Sequence, residues 1–189
     1  MGAPHTRHPG PQGRELKVDE GGSDDSGLGV VRRIESSLAA GGFTVTADSV
    51  AGRRTVVGRR SAFGLRRVAI RVHTFVLVAV FKADATPDHL DRYLEEADQY
   101  ARTVRGRRAS QAGTSAVAVA VVASGQAAGD WAVRPRSQTS AALGCPVLVD
   151  VAGRRVSIQE RTVVGEPYHP HLQQLVRQHV VHPLGFTVG

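Results

Sequence analysis

Arg71 and His73 stand two apart in the run Arg71-Val72-His73-Thr74-Phe75, so they share one face of any strand formed there. A guanidinium beside an imidazole is an anion or phosphate site, because both present charge-assisted N–H donors. The bland alternative is a half-buried histidine satisfied by a neighbour. A second candidate is Asp130-Trp131-Ala132-Val133-Arg134-Pro135-Arg136, where Trp131 with Arg134 and Arg136 has the residue types of a recognition loop. Its alternative is a loop whose tryptophan covers the core. His171, His179 and His182 fall within one quadrant of a C-terminal helix. Eight residues separate the first two, about 12 Å of axial rise, so one helix cannot bring all three to a single metal ion. No catalytic set, metal site or cofactor motif emerges. Gly27-Leu28-Gly29 opens a helix without the preceding apolar strand that a dinucleotide fingerprint needs.

Arginine exceeds lysine 22 to 2, and six arginine doublets occur, beginning at Arg32, Arg53, Arg59, Arg66, Arg107 and Arg154. Arg59, Arg60, Arg66 and Arg67 lie at the turns and edges of one expected meander, where a basic surface would attract nucleic acid. Against this, neighbours on a strand point to opposite faces, and no set of stacking aromatics accompanies the arginines. The lone Cys145 precedes Pro146 at the mouth of an apolar strand and reads as a buried small residue.

These residues need elements to position them. The chain has 189 residues, 41% of them hydrophobic and mainly aliphatic, with a formal charge of +7. That length suits one domain of ordinary size. Residues 1–26 are poor in large apolar side chains and carry three basic against five acidic residues, which predicts a disordered tail. The segment 27–189 is then a single basic α/β domain. No apolar run is long enough to cross a bilayer, and no secretory signal opens the chain, so a cytoplasmic protein without a membrane role is expected.

Leu28, Val31, Ile34 and Leu38 form the stripe of a first helix, stopped at Gly41-Gly42. Phe43, Val45 and Ala47 alternate as a strand, Ala51-Gly52 turns the chain, and Thr55-Val56-Val57 returns. A spine strand runs from Val68 to Phe81, expected to start near solvent and end buried. Thr86 and Pro87 open a crossover helix with the stripe Leu90, Tyr93, Leu94, Ala97 and Ala101. Ala116 to Ala123 is a central strand. A hairpin around Ala152-Gly153 and a helix from about His169 to His182 complete the order. The expectation is therefore a helix, a three-stranded antiparallel meander, a crossover helix, a central strand, a hairpin and a C-terminal helix on a mixed sheet.

Helix, three strands, helix and strand over residues 27 to 124 resemble the core of the restriction-endonuclease-like fold. Its signature, an acidic residue followed by a strand ending in acid-x-Lys, falls on Val80-Phe81-Lys82. The lysine is present and Val80 replaces the acid, so the resemblance implies an inactive or divergent nuclease, or a nucleic-acid-binding relative. The leading expectation from the residues themselves is a non-enzymatic binding or assembly module with a protein partner or a second copy of the chain. Its candidate ligand-binding residues are Arg59, Arg60, Arg66, Arg67, Arg71, His73, Lys82, Trp131, Arg134 and Arg136.

Overall fold

The computed structural model describes residues 27–63, 71–82, 85–105, 113–123, 131, 143–158 and 169–189. Helix α1 (Gly27–Ala40) precedes strands β1 (Thr44–Val50), β2 (Arg53–Phe63) and β3 (Arg71–Phe81). Helix α2 (Pro87–Arg105) leads to β4 (Gly113–Val122), and β5 (Leu143–Asp150) and β6 (Arg155–Ile158) follow. The chain ends in α3 (His169–Val176), a π-helical turn (Arg177–Val181), α4 (His182–Leu184) and β7 (Thr187–Val188).

All seven strands join one mixed sheet in sequence order. β1, β2 and β3 are an antiparallel meander, whereas β3, β4 and β5 run parallel. The α/β order expected from the sequence is observed, with a short strand β7 added after the C-terminal helices. Alternation explains the layers. Val76, Val78, Val117, Val119 and Val121 pack with α1 and the C-terminal helices, while their neighbours Phe75, Leu77, Ala118 and Ala120 pack with α2. A strand buried on both faces needs no polar side chain, which is why β3 and β4 read as continuous apolar runs.

Local chemistry sets the ends. Thr86 Oγ1 accepts the His89 N–H at 3.4 Å while His89 Nδ1 accepts the Thr86 N–H at 3.3 Å, a reciprocal cap for α2. After α1, Phe43 N–H reaches Leu38 O and Gly42 N–H reaches Ala39 O, closing the helix end. Ala51 and Gly52 both take positive φ, 55° and 66°, which gives the tight hairpin between β1 and β2. The second Ala-Gly turn differs: it spans residues 151–154, and Gly153 N–H donates to Asp150 Oδ1. The two Ala-Gly segments thus form different turns.

Several details correct the sequence reading. α1 buries Val30 with Val31, Ile34 and Leu38, and leaves Leu28 66% exposed. β1 is an edge strand, so most of its side chains face solvent. The spine strand departs from expectation at two points: His73 and Thr74 near its start are already buried, and Val80 is 36% exposed between buried Ala79 and Phe81. The π turn was also unforeseen. Pro183 has no N–H to offer the His179 carbonyl, and the ladder shifts so that His182 N–H donates to Arg177 O.

Candidate anion-binding groove

A groove of about 470 Å³ lies between α1, the β1–β2 turn and the neighbouring ends of β2 and β3. Each wall follows from a local choice already described. The tight turn at Ala51-Gly52 places Arg53 and Arg54 at the very start of β2. The mouth of β3 is Val80, and a Cβ on Gly27 would lie 3.2 Å from Val80 Cγ1, so the glycine lets α1 begin close to the strand. Leu28 then stands out from the helix beside that contact.

The floor is Val31, Val56 and Val78, and the rim carries Arg32 and Arg54 against one carboxylate, Glu35. Two cations and one anion leave a net of +1. Arg53 also lines the groove, but its guanidinium lies over the Phe81 ring at 4.3 Å, in the α2 layer on the opposite face of the sheet. Arg32 and Arg54 make no ion pair or hydrogen bond among the described residues. The arrangement is an aliphatic cleft with cationic side chains at its lip. Such a cleft desolvates small apolar groups while its rim compensates carboxylates or phosphates.

The residues proposed from sequence do not gather here. Arg59 and Arg60 diverge, because Arg59 sits 5.8 Å from the Phe75 ring in the α2 layer and Arg60 sits 4.5 Å from Phe43 in the α1 layer. Arg60 also donates to Gly41 O at 3.1 Å, so it braces the end of α1. The doublet straddles the sheet and forms no single patch. His73 is buried and hydrogen-bonded to Ser61 Oγ at 2.8 Å, the satisfied histidine of the alternative reading. Trp131 is 1% exposed and donates to Asp91 Oδ1 at 2.7 Å, so it covers the α2 layer and offers no face to a partner. Lys82 is exposed at the end of β3. Arg66, Arg67, Arg134 and Arg136, and the side chain of Arg71, lie outside the described residues.

Other titratable groups serve packing. Cys145 is buried and its thiol is pushed up to about 12 by burial. His179 is buried while His171 and His182 are exposed, and no cluster of metal-ligating side chains occurs among the described residues. Tyr100 donates to Asp48 Oδ2 at 2.7 Å, which holds that carboxyl below its ordinary value. Among the described residues no helix is long and apolar enough to cross a membrane.

The groove was missed because its parts look ordinary in sequence. Leu28 fits the inward stripe of α1, and Val80 fits the buried run of β3. Only the pairing of β2 with β3 and the close start of α1 set them side by side. No protein family, no curated protein and no solved structure matches the chain.

Proposed function

We propose that this chain is a non-enzymatic binding module whose groove receives an acidic, aliphatic-bearing segment of a protein partner. The observation that carries the reading is the pairing of an aliphatic floor with the lip formed by Arg32 and Arg54. A nucleic acid would use the arginines and leave the valines without a complement, whereas a peptide with alternating acid and aliphatic residues uses both. Backbone spacing favours this, since side chains two apart on an extended peptide fall on the same side.

Fluorescence anisotropy with the full chain tests the proposal. The probes are acidic peptides bearing Leu and Val, their Ser-substituted counterparts, and single- and double-stranded oligonucleotides. Expected is binding of the first set, weakened by Arg32→Gln and Arg54→Gln and by added salt. Equal binding of the Ser-substituted peptides, or binding of oligonucleotides alone, refutes it.

A second reading is a divergent nuclease core of the restriction-endonuclease-like kind. An antiparallel meander followed by a helix and a parallel strand supports it, and so does the position of Val80 in the groove. Magnesium takes hard oxygen ligands, and Glu35 is the groove's one carboxylate among the described residues. That chemistry favours binding over cleavage. Magnesium-dependent nicking of supercoiled DNA, lost on Lys82→Ala, would reverse the preference.

A further inference from the structure

We infer that residues 15–20, Glu15-Leu16-Lys17-Val18-Asp19-Glu20, are the groove's own occupant and compete there with the partner's segment. This rests on the groove being a binding surface for acidic, aliphatic segments. Residues 1–26 lie outside the described residues, and the described chain resumes at the groove itself: Gly27 abuts Val80, and Leu28 is part of the wall. The chain upstream is covalently joined to the groove wall at Gly27.

Composition selects the segment. Leu16 and Val18 are the only branched aliphatic residues among the first 26, and they stand two apart. In an extended chain they face one way, toward a floor of valines. Glu15, Asp19 and Glu20 flank them, complementing Arg32 and Arg54. The connection 21–26, Gly-Gly-Ser-Asp-Asp-Ser, reaches at most about 20 Å when extended, and its paired glycines allow the chain to double back. A short covalent link of this length sets an effective concentration of about millimolar, so weak contacts suffice for docking. The bound segment remains displaceable by a better partner.

The test uses the full chain with a nitroxide on Lys17→Cys; the native Cys145 is buried, so labelling is selective. Paramagnetic broadening should be strongest at the methyls of Leu28, Val31 and Val80 in low salt. A tail variant carrying Glu15→Ser, Leu16→Ser, Val18→Ser, Asp19→Ser and Glu20→Ser should lose it. That variant should also bind an external acidic, aliphatic peptide several-fold more tightly, with an unchanged melting temperature. Broadening elsewhere, or broadening unaltered in the variant, overturns the inference. If the external peptide binds both proteins equally, the groove reading stands and the tail inference falls. If it binds neither, both fall.

Discussion

Adding one methyl group at Gly41 should loosen the clasp between α1 and the C-terminal helical segment. A Cβ there would collide with Cε1 of His179 and come within 2.9 Å of its Nε2. The imidazole cannot simply turn aside. Its Nδ1 lies 3.1 Å from both the Ser37 carbonyl and Ser37 Oγ, and its ring meets Phe43 edge-on at 5.5 Å. Overpacking of this kind costs about 1–3 kcal/mol, and a displaced hydrogen bond about 1 kcal/mol more. Reduced freedom of the unfolded chain returns about 0.4–1 kcal/mol. The net expectation for Gly41→Ala is a loss of about 2–3 kcal/mol, or about 5–10 °C in melting temperature for a chain of this size. On a His179→Ala background the obstacle is gone, so Gly41→Ala should be neutral or mildly stabilising. Urea denaturation of the four proteins gives the coupling energy, expected at about 2–3 kcal/mol. A loss from Gly41→Ala that is the same with and without His179 would refute the packing described.

Three further outcomes follow from the same geometry. Val78→Asp should unfold the protein, because an unpaired charge would enter a fully enclosed site at a cost of about 4 kcal/mol or more, whereas Val80→Asp should cost about 1 kcal/mol and yet abolish binding of acidic peptides; circular dichroism and anisotropy distinguish the two. Gly52→Ala should cost about 1–2 kcal/mol by denaturant melts, through backbone strain alone, since φ is 66° and no atom lies within 4 Å of the new methyl. Burial lowers the His179 pKa and the Ser37 hydrogen bond only partly offsets it, so below about pH 6.5 the unfolded state takes up a proton that the native state refuses. Stability should therefore fall with pH across that window, by at most about 1.4 kcal/mol per unit, and His179→Ala should flatten the profile.

Strong periodic signals were legible in the sequence. α2 carried its cap at Thr86 and its stripe at Leu90, Tyr93, Leu94, Ala97 and Ala101, and all of these are buried except Leu94, which is half-buried. The apolar runs of β3 and β4 announced central strands. Trp131, by contrast, shows the limit of residue type: the same indole serves a recognition loop or a core cover, and only its hydrogen bond to Asp91 decides. Arg59 and Arg60 show the limit of clustering, since proximity in sequence puts strand neighbours on opposite faces. The groove was illegible because Leu28 and Val80 come from elements about 50 residues apart and meet only through the register of β2 on β3 and the close start of α1. The π turn depends on the missing N–H of Pro183, a signal present in sequence but ambiguous between a helix end and a shifted ladder.

Methyl NMR of the full chain, titrated with an acidic peptide bearing leucine and valine, tests the central claim most directly. The account predicts saturable shifts concentrated on Leu28, Val31, Val56, Val78 and Val80, diminished by Arg54→Gln and by salt. Shifts centred on the α2 layer around Leu77 and Leu90, or no saturable change at any of the groove methyls, would contradict it.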